Sequence, residues 1–258
     1  MATARELRLT LPEVLFAQGF GTRRACRALV EQGAVTVAGS ESRDAERTYL
    51  AHGLEFTVCG EPWRFRAHAC LMMYKPAGTE CSHRPGAWPS VYSLLPPPLR
   101  QRPRPGGVAG VQAVGRLDQD TTGLLLLTDD GTLIHRLNSP RRHVPKVYEV
   151  GTAEAVDARQ VARLLAGVTL DDEPLPVRAA QCSITASHRL QLTLTEGKYH
   201  QVKRMIAALG NRVVSLHRSR VGPLQLPPEM RPGEFCWLDE AQVAALRDGG
   251  ASARAGAP

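Results

Sequence analysis

The sequence predicts an α+β protein made of a small N-terminal part and a larger C-terminal part. Three observations carry that prediction. Apolar stretches too short for helices, such as Leu71–Tyr74, Val111–Val114 and Leu124–Leu127, read as strands. Segments with helical apolar spacing and capping residues lie between and around them. Glu61-Pro62-Trp63 punctuates the chain and separates the first sixty residues from the rest.

In chain order, Leu11–Gln18 fits a short helix broken by Gly19 and Gly21. Thr22 is placed to cap a second helix running to about Gln32, with Gly33 at the stop position. Cys26, Leu29 and Val30 form its apolar face, while Arg23, Arg24 and Arg27 cluster outside it. Ala34–Val37 reads as a strand. After the joint, Leu71–Tyr74 is a strand followed by a Lys75-Pro76-Ala77-Gly78 turn. The proline-rich stretch 96–107, with Arg100, Arg102 and Arg104, excludes a regular helix or central strand and reads as an exposed basic loop. Asp130 is placed to cap a helix through Leu137, and Ser139-Pro140-Arg141-Arg142-His143 breaks it. Lys146–Val150 and Leu190–Thr195 alternate as strands, and Val156–Leu165 forms a helix stopped at Gly167. Val202, Ile206 and Leu209 give a further helix its buried stripe. Arg212–Gly222 follows as strand and basic loop, and Asp239 with Gln242 caps a last helix ending near Arg247.

Composition narrows the partners. Thirty-two Lys and Arg against 25 Asp and Glu give a net charge of +7 and a pI near 9.4, which favours a polyanion. The six cysteines (26, 59, 70, 81, 182 and 236) form no CxxC pair, so neither a zinc site nor a disulfide framework is expected. No apolar run approaches a membrane span, and the charged start Arg5-Glu6-Leu7-Arg8 is unlike a signal peptide. A cytoplasmic location fits.

The chemistry centres on Gly115-Arg116-Leu117-Asp118-Gln119-Asp120-Thr121-Thr122-Gly123. It is a polar loop between two apolar strands, where reactive side chains are commonly displayed. Asp118 and Asp120 are its carboxylates, after a stretch from Cys81 to Leu117 without any acid. Two further stretches stand out: Lys146-Val147-Tyr148, and Glu196-Gly197-Lys198-Tyr199-His200-Gln201-Val202-Lys203-Arg204-Met205. Lys203 lies at the edge of a buried stripe, so its ammonium needs an anionic partner. No acid occurs from Gly197 to Pro228, so that partner is either a bound polyanion or distant in sequence.

These motifs together resemble the RsuA-type ribosomal RNA pseudouridine synthases, over about residues 7–245. The helix, basic helix, Gly, Val-x-Val order at the start resembles an S4 RNA-binding domain. The resemblance implies an S4 domain over 1–60, a linker over 61–70, a catalytic domain over 71–247 and a disordered tail over 248–258. The catalytic domain is expected to hold a mixed, largely antiparallel sheet with a central cleft. Asp118, Tyr148 and Lys203 are the implied catalytic residues. Arg116 is implied to fill the gap left by a flipped uridine. Arg23, Arg24, Arg27, Arg141, Arg142, His200, Arg204, Arg218 and Arg220 are the expected RNA contacts. No cofactor and no metal is required.

Ribosomal RNA is the implied partner, specifically 16S RNA in an assembling small subunit, with the protein acting as a monomer away from membranes. The small-subunit choice rests on similarity at His217-Arg218-x-Arg220-Val221-Gly222 and at Ser139–His143. The alternatives are a 23S enzyme of the same family and a non-catalytic S4-type RNA-binding or ribosome-assembly protein. Asp118-x-Asp120-x-x-Gly123 also copies half a calcium loop, but position twelve is Asp129 rather than Glu. A carbohydrate-cleaving carboxylate pair fits poorly with the basic surface.

Overall fold

A computed structural model describes residues 7–104 and 106–248. They form two compact units, one comprising the chain to Ala69 with Leu95–Gln112, the other Cys70–Leu94 with the chain from Ala113. The expected disordered tail lies outside the described residues apart from Asp248.

In the first unit, strand β1 (Arg8–Thr10) leads into helix α1 (Leu11–Gln18). The Thr10 N–H donates to Glu13 Oε2 at 2.8 Å, holding the helix start. Helix α2 (Arg23–Glu31) opens on Thr22, whose hydroxyl accepts from the Ala25 N–H at 3.2 Å. Strands β2 (Val35–Val37), β3 (Ser40–Glu41), β4 (Thr48–Leu50), β5 (Glu55–Val58) and β6 (Glu61–Arg64) follow. An antiparallel sheet runs β3-β2-β5-β6, and β1 pairs with β4. Leu11, Leu15, Cys26, Val30, Val35 and Phe56 pack between helices and sheet.

Two expectations need correction here. Residues 61–64, expected in a linker, form the edge strand β6. Proline is tolerated on such an edge because no ladder needs its missing N–H. The stretch 96–107 is neither helix-free nor wholly exposed. Pro97–Gln101 forms helix α3, with Pro at its first turn where a missing N–H costs nothing. Arg102 is 2% exposed. Its guanidinium donates to Gln18 Oε1 at 2.9 Å and to the carbonyls of Arg66 and Ala67 at 2.8 and 3.3 Å. Gly19 (φ 90°) is required beside it, because a Cβ there would lie 2.2 Å from the Pro98 carbonyl oxygen. The arginine reads as exposed from composition, yet tertiary acceptors hold it inside.

The second unit is built on one nine-stranded sheet. Its elements are β7 (Cys70–Lys75), β8 (Gln112–Val114), β9 (Thr122–Thr128), α4 (Gly131–Asn138), β10 (Lys146–Thr152), α5 (Ala158–Ala166), β11 (Gln181–Ala186), β12 (Arg189–Leu194), α6 (Gln201–Ala207), β13 (Val213–Val221), β14 (Leu224–Gln225), β15 (Phe235–Trp237) and α7 (Glu240–Asp248). The strand order is β11-β12-β10-β13-β9-β7-β15, with β14 beside β13 and β8 beside β9. The β9–β13 pair is parallel, and β7–β9, β10–β12, β10–β13, β11–β12, β13–β14 and β15–β7 are antiparallel. The expected mixed, largely antiparallel sheet is present. Leu124–Leu127 are all buried because β9 is central and covered on both faces. Leu124 and Leu126 pack with Leu133 and Leu137 of α4 and Leu246 of α7. Asp130 accepts from the Thr132 and Leu133 N–H groups and pairs with Arg247 at 2.9 Å. Residues 213–221 form one continuous strand rather than a strand and a basic loop, which moves Arg218 from the expected flank into the sheet.

Replacing Arg102 by Met leaves the acceptors of Gln18, Arg66 and Ala67 without these donors. A loss of about 2–4 kcal/mol is expected in the first unit. Hydrogen exchange of the α1 and β6 amides should accelerate accordingly, while Arg100→Met, at an exposed position, leaves it unchanged.

Candidate active site

The loop 115–121 joins β8 to β9. Gly115 (φ 70°) turns the chain, and the Thr121 N–H donates to the Asp118 carbonyl at 3.1 Å. A buried cation pins the loop from below. Lys75 is fully buried at the end of β7. Its Nζ donates to the carbonyls of Pro76, Gln119 and Thr121 at 3.0, 3.3 and 3.0 Å. The Gly78 N–H donates to the Gln119 carbonyl at 2.8 Å. Burial lowers the Lys75 pKa, and the Asp120 and Asp118 carboxylates act against that. Beyond the loop, Gly123 (φ 109°) is obligatory, since a Cβ would lie 2.3 Å from the Arg218 carbonyl oxygen. Gly123 therefore lets β13 approach β9 and sets where the loop leaves the sheet.

The 115–121 loop supplies the anionic partner that the basic stretch around Lys203 on α6 lacks. Lys203 Nζ lies 3.0 Å from Asp118 Oδ2 and 2.6 Å from Asp120 Oδ1. Burial pulls the Lys203 pKa down, but hydrogen bonds to Asp120 and Asp118 outweigh it and the net shift is upward. Burial likewise pushes Asp120 up, and Lys203 brings it below the ordinary carboxylate range. His200 adopts a left-handed conformation (φ 46°) at the start of α6, with Nε2 3.4 Å from Asp118 Oδ1. Gln201 secures the preceding turn, accepting from the Lys198 N–H and donating to Glu196.

Asp118, Asp120, Lys203, His200, Tyr148 and Arg116 all line one cavity of about 710 Å³. Tyr148 is 9% exposed on β10, a wall residue with its neighbour Lys146. The three residues expected to do the chemistry are therefore gathered around one space. The expected RNA contacts are more scattered. Arg116 is exposed on the cavity, and Arg141 and Arg142 are exposed beside the cavity residues Ser139 and Pro140. Arg23 and Arg24 are exposed on α2, with the Arg23 guanidinium 4.1 Å from the Phe16 ring. Arg27 is occupied by Glu46 at 2.7 Å and Glu31 at 3.5 Å. Arg204 is tied to the carbonyls of Tyr199 and Asp171. Arg220 is exposed and donates to the Gly222 carbonyl. Arg218, expected on a basic flank, is 2% exposed and donates through Nε to the Leu124 carbonyl at 2.8 Å. His217 is also packed within the sheet, bonded to the Thr122 hydroxyl at 2.9 Å and edge-on to Tyr74.

Comparison with known proteins decides what this arrangement belongs to. Residues 69–208 match the RNA pseudouridylate synthase family. The chain belongs to that family. It is 38% identical over 225 residues to the ribosomal small subunit pseudouridine synthase A of Pasteurella multocida, covering 86% of this chain and 93% of the relative. Against the protein of the same name from Vibrio parahaemolyticus it is 41% identical over 227 residues, covering 86% and 92%. An uncharacterized RNA pseudouridine synthase of Bacillus subtilis is 37% identical over 244 residues, covering 93% and 99%. The crystal structure of a pseudouridylate synthase aligns with a TM-score of 0.64 at 33% identity, covering 92% of this chain and 99% of that one.

As a pseudouridine synthase the protein is an isomerase of RNA uridine, and this cavity is the candidate place for that chemistry. A carboxylate is held and aimed by an ammonium, and an aromatic wall stands beside it. Several residues of this site carry no distinct signal in the sequence. Asp120 stands in the quoted loop, yet its sharing of Lys203 appears only in three dimensions. Lys75 reads as a turn residue, though it anchors the loop. Thr121 and Lys146 stand in the quoted stretches, yet their places on the cavity appear only in three dimensions. Among the described residues no cluster of His, Cys, Asp or Glu fits a metal ion, and no helix is long and apolar enough to cross a membrane.

Lys146 offers a stability test. Burial, with Arg218 adding to it, lowers its pKa to about 8. The folded protein thus releases this proton before the unfolded chain does. The cost is full below pH 8 and disappears as pH rises toward the unfolded lysine value of about 10.4. Lys146→Met is expected to raise the melting temperature at pH 7 and to abolish the rise in wild-type stability between about pH 8 and 10.4. Melting curves across that range check it, and a lower melting temperature at pH 7 would contradict it.

Proposed function

We propose that this pseudouridine synthase converts one uridine of small-subunit (16S) ribosomal RNA to pseudouridine during subunit assembly, acting as a cytoplasmic monomer without a cofactor. The observation that carries the chemistry is the Asp118–Lys203 contact of 3.0 Å on a cavity walled by Tyr148. The names of the relatives from Pasteurella and Vibrio support the small-subunit choice.

The reaction breaks the bond between ribose C1′ and N1 of the base, turns the base, and rejoins it through C5. Cleavage of this kind resembles glycoside chemistry, in which a carboxylate attacks the anomeric carbon or stabilises its positive charge. Asp118 takes that role, and Lys203, 3.0 Å away, holds and aims it. Asp120 shares the ammonium and fixes its position. The Tyr148 ring stacks on the detached base, and its hydroxyl assists removal of the C5 proton. The target uridine must first leave its stack, at a cost of roughly a few kcal/mol. Arg116, exposed at the cavity, fills the space it leaves. The first unit acts as an S4-type RNA anchor. Arg23 and Arg24 are its exposed basic positions, with Arg141, Arg142 and Arg220 on the catalytic unit.

Asp118→Asn is nearly isosteric and removes only the charge. It should keep fold and RNA affinity and reduce isomerisation to trace level. Lys203→Met should cripple turnover, and Tyr148→Phe should bind RNA without completing the product. Pseudouridine mapping on 16S and 23S transcripts and on partly assembled small subunits reads all three. Product confined to 23S RNA would overturn the small-subunit assignment, and full activity of Asp118→Asn would overturn the catalytic one. An inactive wild type that binds RNA would favour a binding role instead.

Arg23→Gln with Arg24→Gln should lower the dependence of RNA binding on salt. The slope of log K against log salt should fall by up to about one unit for each phosphate that is no longer neutralised. Titrations at several salt concentrations check this, and an unchanged slope would remove the first unit as anchor.

A further inference from the structure

The carboxylates lining the cavity all have partners. Asp118 and Asp120 share Lys203, Glu196 accepts from Gln201, and Glu80 accepts from the N–H groups of Gly86 and Trp88. Two cations and a hydroxyl on the same cavity are served differently. Arg218 spends its Nε on the Leu124 carbonyl, but its Nη2 is buried without any hydrogen-bond partner. The Thr121 hydroxyl, on a residue 1% exposed, is equally unpartnered. Lys146 donates to the Val144 carbonyl at 3.2 Å and forms no ion pair among the described residues.

A buried guanidinium nitrogen without an acceptor costs stability, on the order of 1–3 kcal/mol or more. Here two such polar groups belong to residues of one cavity wall, and the fold goes to some length to place Arg218 there. Gly123 brings the backbone of β13 within reach of β9 at Arg218, and Arg218 stands in register with Tyr148 of β10. A ligand acceptor that enters the cavity would satisfy both. The RNA phosphates stay with the chain at the mouth, whereas a flipped base enters. Uracil presents two carbonyl oxygens. When the C1′–N1 bond breaks, its electron pair stays with the base, and the negative charge spreads over N1, O2 and O4.

We propose that Arg218 Nη2 and the Thr121 hydroxyl donate to the flipped uracil, and that Arg218 with the nearby Lys146 ammonium stabilises the base as an anion after the glycosidic bond breaks. This makes Arg218 a catalytic residue and the cavity a site for two opposite charges. Asp118 attends the electron-poor sugar carbon, and the cations attend the electron-rich base. When C5 then bonds to C1′, the base loses its C5 proton and N1 gains one, so the sum of the reaction is an isomerisation. The lowered pKa of Lys146 accords with a cation that awaits an anion. The inference rests on the isomerase reading above.

The test uses the full chain and ribosomal particles from cells lacking the gene, so that either subunit can serve as substrate. Arg218→Gln, Arg218→Ala, Thr121→Val and Lys146→Met are compared by melting temperature, RNA affinity and single-turnover pseudouridine formation. Arg218→Gln is expected to slow the single-turnover step by about 100-fold, as loss of one preorganised donor to a developing anion does. RNA affinity should stay within about threefold, under 1 kcal/mol. Thr121→Val and Lys146→Met should slow the same step by about tenfold, the smaller effect expected of supporting groups. Millimolar guanidinium ion should restore part of the rate of Arg218→Ala, which a purely structural arginine would not permit. Wild-type rates in folded Arg218 variants, or a defect confined to RNA affinity, would overturn the proposal. If the Arg218 variants do not fold, wild-type rates in both Thr121→Val and Lys146→Met overturn it. A wild-type protein as inert as Asp118→Asn would instead sink the isomerase reading itself.

Discussion

The approach of β13 to β9 at Gly123 is the constraint on which the catalytic unit depends. Any side chain at that position would meet the Arg218 backbone within 2.3 Å. The contact joins the two strands in parallel at the centre of an otherwise largely antiparallel sheet. It places the loop carrying Asp118 immediately before the strand, and it directs Arg218 inward. The same strand pair aligns Arg218 with Tyr148. A single missing Cβ therefore fixes the relation of carboxylate, aromatic wall and buried guanidinium.

Electrostatics divides the work around that frame. Lys75 is buried and devoted to backbone carbonyls, so it holds the loop and leaves the Asp118 carboxylate for Lys203. Lys203 and Asp120 are both partly exposed, and mutual pairing offsets the burial each suffers. Arg218 and Lys146 carry uncompensated cost in the free protein. Groups that weaken the fold and line a cavity are where function is most plainly visible against structure.

The first unit shows the opposite use of an arginine. Arg102 comes from a stretch whose proline content and charge suggest an exposed loop, yet it is nearly inaccessible. Its planar guanidinium reaches the three acceptors offered by Gln18, Arg66 and Ala67 at once, which no apolar side chain would satisfy. Charge along a sequence thus reports electrostatic character, while position in the fold decides whether a given cation faces RNA, an internal acceptor or a glutamate, as Arg27 does.

Local order was legible in the sequence by itself. Helix α1 spans Leu11–Gln18 as its spacing and glycines dictate, and Thr22, Asp130 and Asp239 cap their helices because short polar side chains reach the free N–H groups. The aliphatic run 124–127 reads as a buried strand because nothing in it could face water. The three motifs, through their family resemblance, pointed to Asp118, Tyr148 and Lys203. Only the tertiary structure brought these together with Asp120, Lys75, Thr121 and Lys146, because they meet across strands and helices far apart in the chain. It alone decided that residues 61–64 form an edge strand and that Arg102 and Arg218 are interior. Burial and hydrogen-bond partnership depend on which distant segments arrive at a place, and no local pattern of residues encodes that.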